Sequence, residues 1–465
     1  MSTAKKYFPS PIFFLIIILA FIFRLSLTNL AMHDDIVVQA GWGKWIYQNQ
    51  KMFGFYENNI WIYGWPNQPP LISFLYGFSF TIHEWLNTFL VGIGNFIALN
   101  HLGASHLSWF YKFVIWFFAE KFSDTPFAIG QLISLKLIPI IGDLLLAGLV
   151  YLTTKRLSDT KKAQVITIIY LFSPFSWYES AIWGQHDQIG FIFLFLAFLT
   201  LMSQKWRIWA PMLFIVSIGL KVTGLIFTPL FLWLMVRSKR EFVSACLGAM
   251  LSIFIYFILV RLISPNNFVQ FNLNLQKQMF AKGDWATWVN TFNFWRLITI
   301  FQTDSRTIFW GLSYQIWGYV VYGCFYIYAL FISRNRDLWS VIRALFIVAF
   351  SGWLFMTTMH ERYLFAAVMF GLILSVKYSR LFKYWSILSL IFWVNLYAAW
   401  WKPEIFWWLK NILLWQKNDL IPKLLSLVLI GLFIRMTKLI RFRKNSGKIV
   451  QQNPPPRTPL PITGS

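Results

Sequence analysis

Charge is scarce in this chain. Only 12% of its 465 residues are Asp, Glu, Lys or Arg, about half the share of a typical soluble domain. A chain so poor in charge cannot cover a water-facing surface, which excludes an ordinary soluble globular protein. Cysteine is scarcer still. Cys246 and Cys324 are the two present, both inside apolar runs, which excludes a disulfide framework or a thiolate metal knuckle. Acidic residues are the third shortage, 17 against 41 Lys and Arg.

What is there instead is apolar: 58% hydrophobic and 20% aromatic residues, with many runs near the ~20 residues that cross a bilayer. The first run, 8–30, follows Lys5 and Lys6. It is too long for a signal-peptide core and lacks a small-residue cleavage site, so it reads as a first membrane helix. The basic residues fall in short clusters between runs: Lys155/Arg156/Lys161/Lys162, Lys205/Arg207, Arg237/Lys239/Arg240, Arg334/Arg336, Lys377/Arg380/Lys383 and a last group from Lys438. That is the positive-inside pattern, with anionic lipid headgroups as the counter-charge and no nucleic acid as partner.

With each cluster in the cytoplasm, spans run near 8–30, 130–153, 163–182, 188–203, 208–220, 222–236, 242–263, 308–333, 338–358, 362–376, 382–400 and 420–440. The expected fold is therefore an all-α polytopic membrane protein of about twelve transmembrane helices with both termini cytoplasmic. One transmembrane unit covers 1–440, and a basic, Pro-containing cytoplasmic tail, 441–465, is expected to lack fixed structure. The 208–236 stretch is short for two crossings, and Pro211, Gly219, Gly224 and Pro229 suggest broken or re-entrant helices, tolerated only where they line a cavity.

Acids took no part in setting this orientation. Asp159, Glu241 and Asp337 fall in the cytoplasm and Asp143 in mid-membrane, and the other thirteen are extracytoplasmic. Two external segments, 31–130 and 264–307, are long for simple connections, and long ordered loops are usually functional. Amphipathic pieces at 71–80, 84–97 and 106–118 in the first suit helices lying in the interface.

Several polar groups stand out on that face. Asp34 and Asp35 directly follow the first helix; either they cap the next helix as a hydrated pair or one takes a proton from a hydroxyl. Trp183-Gly184-Gln185-His186-Asp187-Gln188 interrupts an apolar stretch, as a tight polar turn or as groups facing a cavity. In Met359-His360-Glu361-Arg362-Tyr363, Arg362 could hold a phosphate by paired hydrogen bonds or form an interfacial ion pair. Lys221, between two short runs, neutralises a phosphate or snorkels to the surface. Lys136 and Asp143, seven apart on one helix, read as a buried ion pair bracing the bundle, or as a substrate contact. The stretch Asp284 to Arg296 interleaves Trp285, Trp288 and Trp295 with Asn290 and Asn293, suiting sugar stacking and hydroxyl bonding or equally interfacial Trp anchoring. No cluster has metal-ligand spacing, so no metal or other cofactor is expected.

In order, Asp35, the Gln39 to Tyr47 run, Pro69-Pro70-Leu71, Lys136 with Pro139 and Asp143, Trp183-Gly184-Gln185-His186-Asp187, Lys221, Asn290-Thr291-Phe292-Asn293-Phe294-Trp295 and His360-Glu361-Arg362-Tyr363 resemble the prokaryotic GT-C mannosyltransferases related to the enzyme that adds the second mannose to GPI anchors. The resemblance covers about 30–365. It implies a GT-C helical bundle and an inverting transferase in the outer leaflet of the cell membrane. The implied donor is a polyprenyl-phosphate sugar, usually mannose, and the implied acceptor a lipid-linked glycan or glycolipid. The general base of such families maps to Asp34 or Asp35, with Asp35 preferred. Lys221, Arg362 and Arg296, helped by His186 or His360, would hold the donor phosphate. Gln185, Asn290, Asn293 and Trp295 would bind sugar or acceptor, and Asp187 and Glu361 would do the same or orient those cations. Trp65-Pro66-Asn67-Gln68-Pro69-Pro70 departs from the usual Tyr-Pro-Pro. A transporter or flippase of a lipid-linked sugar or anionic solute is the alternative, although such proteins usually show repeated halves, absent here.

Overall fold

The computed structural model describes residues 11–60, 65–99, 108–121, 126–236, 239–280, 285–414 and 419–441. The tail expected at 441–465, apart from Arg441, and Asp284 lie outside the described residues. The chain is almost wholly helical, and a two-residue hairpin, β1 (Ile308–Phe309) with β2 (Leu312–Ser313), is the one sheet among the described residues.

Helix α1 (Pro11–Leu27) leads to α2 (Asp34–Asn49), α3 (Pro70–Leu99) and α4 (Ser108–Phe118). Then come α5 (Ile129–Leu157), α6 (Thr160–Phe172), the single turn α7 (Pro174–Trp177), α8 (Asp187–Leu201), α9 (Ala210–Leu220), α10 (Thr228–Met235) and α11 (Lys239–Ile263). The second half holds α12 (Phe268–Phe280), a short turn α13 (Trp295–Ile298), α14 (Tyr314–Ser333), α15 (Leu338–Phe355), α16 (Phe365–Ser375), α17 (Ser379–Trp400), α18 (Trp407–Leu414) and α19 (Leu420–Ile440).

By length and composition, six described helices can cross a membrane, or seven if α6 and the bent 174–183 segment, 50° apart, form one span. This is a membrane protein. A helix occupies each of the twelve expected spans, but the segments Pro11–Leu27, Asp187–Leu201, Arg207–Leu220 and Val222–Met235 are shorter, so twelve full crossings are not established. Residues 308–313 of one expected span form the hairpin instead. The pieces expected at 71–80 and 84–97 are one continuous helix, α3, because the joining Thr81-Ile82-His83 holds neither Gly nor Pro to break it.

Burial follows composition. Helices α15 and α16, apolar on almost every face apart from Arg343, are buried on nearly every side, as a bundle centre demands. Exposed Phe242, Val243, Leu247, Met250 and Phe254 of α11 and Ile12, Leu15, Ile18 and Ile22 of α1 give those helices apolar outer faces. A second core joins α2 and α3 to α5, α11 and α12. Asp159 and Asp337 cap α6 and α15 by accepting from Lys162 and Ser340 N–H at 2.9 and 3.0 Å.

Inside the first core, Arg24 of α1 is fully buried and pairs with Asp143 of α5 at 2.7 Å. It also donates to Leu171 O and to Ser176 Oγ, while Tyr170 and Ser176 donate to the Asp143 carboxylate. The ion pair expected between Lys136 and Asp143 is therefore replaced by Arg24–Asp143. Seven residues along α5 separate Lys136 from Asp143 by nearly two turns, about 10 Å of rise, so each takes a partner from another segment.

Candidate functional site

The three protons of the Lys136 ammonium are all used on main-chain oxygens. Nζ donates to Thr28 O, Ala31 O and Ile182 O at 2.8, 2.6 and 2.7 Å. This fastens the exit of α1 to the π-helical turn Tyr178–Trp183 that precedes α8. That turn closes on Gly184, whose φ of +81° lies in the left-handed region, where a Cβ is unfavourable. A Cβ there would also lie 2.6 Å from Ile36 Cδ1, so the position has no room for a side chain. The next residue, Gln185, is thereby delivered to α2.

Gln185 Nε2 donates to Asp35 Oδ2 at 2.6 Å. At the start of α2, His33 Nδ1 accepts from Asp35 N–H at 3.0 Å and caps the helix. The two adjacent acids are thus distinguished: Asp34 is exposed, whereas the Asp35 side chain is 43% exposed and anchored. Burial opposes its ionisation, but His33, Arg362, the Gln185 hydrogen bond and Lys221 together hold its carboxyl below the usual carboxylate value. Burial conversely lowers the His33 imidazole, against the pull of Asp35.

Behind Asp35 lies a buried charge network. Asp187, the first residue of α8, pairs with Lys221 Nζ at 3.1 Å and Arg362 Nε at 3.6 Å. Arg362 also donates to Glu361 Oε1 at 3.0 Å. Lys221 sits at the break between α9 and the 3-10 turn Val222–Phe227, with extended backbone. The α8 helix approaches it so closely that a Cβ on Gly190 would lie 2.8 Å from Lys221 Cβ. Burial lowers the Lys221 ammonium, opposed by Asp187, and raises the Glu361 carboxyl, opposed by Arg362. His360 is pushed down to about 3 by burial and the two cations. Burial also lowers His186, whose Nδ1 meets Tyr76 OH at 3.3 Å. Both imidazoles are therefore neutral near pH 7 and offer hydrogen bonds, not charge.

The ends of α1, the π-turn, α9 and the turn before α16 consequently meet at one end of the bundle, bringing Asp35, Gln185, His186, Asp187, Lys221, His360, Glu361 and Arg362 together. The other candidates lie elsewhere or serve the packing. Arg296 makes a bidentate pair with Asp419 at 2.7 and 2.6 Å and stacks over Trp288 at 4.3 Å. With Asn290, these residues line a separate cavity of about 770 Å³. Trp295 is buried and donates from Nε1 to Phe355 O at 2.7 Å. Asn293 is fully buried, and neither of its amide atoms has a partner among the described residues. The loop carrying it reaches the site through a bridge between Val289 and His360.

The sequence model of glycosyltransferase family 87 matches residues 125–357, half of the chain. The chain belongs to glycosyltransferase family 87. It is thus a membrane glycosyltransferase of the GT-C type, a class that requires a sugar donor and an acceptor. The matched segment holds Lys136, Gln185, Asp187, Lys221 and Asn293, while Asp35 and the His360 to Arg362 turn fall outside it and join it only through the contacts described. No curated protein matches the chain.

Sequence reasoning missed Glu179. It is fully buried in the π-turn, and neither carboxylate oxygen has a hydrogen-bond partner among the described residues. Its neighbours include Asp187, Arg362 and Lys221. The available signal was an acid six residues before Gln185 in an otherwise apolar span. Such π-turns are frequent at functional sites.

Proposed function

We propose that this glycosyltransferase moves a hexose, with mannose favoured by the sequence resemblance, from a polyprenyl-phosphate donor to a lipid-linked glycan or other extracytoplasmic acceptor, with inversion. The observation that carries the reading is a half-exposed, anchored carboxylate, Asp35, set within the field of two cations, buried Lys221 and partly buried Arg362. Asp35 takes the proton of the acceptor hydroxyl. The acceptor oxygen bonds to the anomeric carbon from the face opposite the phosphate. The bond from that carbon to the phosphate oxygen breaks, its electron pair leaving with the polyprenyl phosphate. Lys221 and Arg362 stabilise the charge gathering on that phosphate, with Asp187 and Glu361 holding both cations in place. A phosphate leaves as a stable anion, so one carboxylate suffices where glycoside hydrolases need two.

The test is transfer by purified protein in lipid, using polyprenyl-phosphate mannose and glycolipid acceptors. Asp35→Asn should lower kcat by ~10²–10⁴-fold, the range for a positioned base, while Asp34→Asn stays near wild type. Undiminished transfer by Asp35→Asn and by the double variant rejects the assignment of the base. Uptake of solute without transfer would favour a transporter.

A further inference from the structure

A cleft of about 300 Å³ separates the first external segment from α12, lined by Tyr56, Glu57, Trp65, Phe271, Asn274 and Gln278 among others. Two of its polar side chains each have one polar atom hydrogen-bonded and the other without a partner among the described residues. Glu57 Oε1 accepts from Ser264 Oγ and from Asn266 Nδ2, while its Oε2 is buried with no partner among the described residues. Gln278 Nε2 donates to Tyr56 O at 3.1 Å, while its Oε1 is likewise buried and unpartnered. Both vacant atoms are acceptors, and a buried acceptor requires a donor. Asn274, whose Oδ1 accepts from Gln270 Nε2 at 2.7 Å, keeps its NH₂ group as a donor. Gln270, Asn274 and Gln278 recur every fourth residue and so share one face of α12. No Lys, Arg or His lines the cleft among the described residues.

We infer that this cleft is a carbohydrate subsite for a neutral sugar of the acceptor, distinct from the place where the donor phosphate would sit. Sugar hydroxyls supply the donors that Glu57 and Gln278 lack, and the half-exposed Trp65 indole offers a face to sugar C–H groups. A phosphate brings only acceptors to a cleft already rich in them and without a cation. Helix α3 ties the cleft to the catalytic end. Ser73 Oγ hydrogen-bonds Tyr56 OH at 3.0 Å, and one turn on, Tyr76 OH reaches His186. A glycan seated here would lie along α3 toward Asp35. Its service as the acceptor rests on the transfer reaction proposed above; sugar binding itself does not.

The test uses full-length protein in phosphatidylcholine nanodiscs and saturation-transfer NMR with methyl α-mannobioside, and mannose 6-phosphate as comparator, without donor. The bioside should bind and the phosphate should not displace it. Trp65→Ala and Asn274→Ala, checked for unchanged thermal stability, should each weaken binding about tenfold, the equivalent of one lost contact, while Asp35→Asn leaves it intact. Equal bioside signal in wild type and both cleft variants, or displacement by mannose 6-phosphate, overturns the subsite. Bioside binding lost in the cleft variants, with no transfer from any polyprenyl-phosphate sugar, upholds the cleft and defeats the transfer reading.

Discussion

Gln185 Nε2 donates to Asp35 Oδ2 at 2.6 Å across 150 residues of sequence. The bond holds a half-exposed carboxylate in one orientation and favours its ionised form. Because Asp35 is held below the usual carboxylate value, its contribution to stability is present above the unfolded value of ~3.9 and is lost as pH falls through the lower folded one. On the proposed role of Asp35 as base, the acid limb of kcat/KM should lie below the free carboxylate value of ~3.9. Gln185→Leu removes one of the interactions that depress it. The limb should move upward in a pH profile of kcat/KM, and a limb unmoved by the substitution contradicts the role given to Gln185.

Two arginines make contrasting predictions. Arg362 lies beside Asp187 and Glu361, whereas Arg296 is fully engaged by Asp419 in another cavity. Arg362→Lys loses the planar fork and should raise the donor KM by about tenfold, one charge-assisted hydrogen bond's worth. Arg296→Lys should leave donor KM within about twofold. Steady-state kinetics with varied polyprenyl-phosphate sugar decides, and equal effects would place Arg296 in the donor site after all.

The Arg24–Asp143 pair is predicted to be structural. Arg24→Met strands a buried carboxylate and should cost about 3–5 kcal/mol, whereas Arg24→Met with Asp143→Leu should recover much of it. Denaturant unfolding in detergent measures both. Additive losses in the double variant would show that the two charges do not act as a pair.

Gly184→Ala should reduce both stability and transfer. The left-handed backbone costs about 1–2 kcal/mol for a residue with a Cβ, and the contact with Ile36 adds to it. Ile36→Val removes the nearest atom, Cδ1, but leaves Cγ1 at 3.0 Å and the backbone term, so rescue should be partial. Full rescue would show that sterics alone matter at this position.

Much of this arrangement was legible in the sequence because membrane burial makes polar residues conspicuous. The acids after the first helix, the polar interruption at Gln185 to Asp187, Lys221 at a helix break and the Glu361–Arg362 turn all stood out against apolar runs, and the geometry gathers them. What was not legible depends on which helix faces which. Helical spacing put Lys136 and Asp143 on one face but could not name Arg24, near the end of a lipid-like run, as the partner of Asp143. Glu179 is hidden because a π-turn has no spacing signature in an apolar segment. Arg296 reads as a phosphate ligand until Asp419, 123 residues on, is found against it.

Lys136 has a mechanical consequence. Three bonds from Lys136 Nζ tie the exit of α1 to the π-turn, which sets Asp35 and its steadying amide against one another. Asp35 and the amide that orients it are thus braced together, while Lys221 and Arg362 come to Asp187 from two other segments.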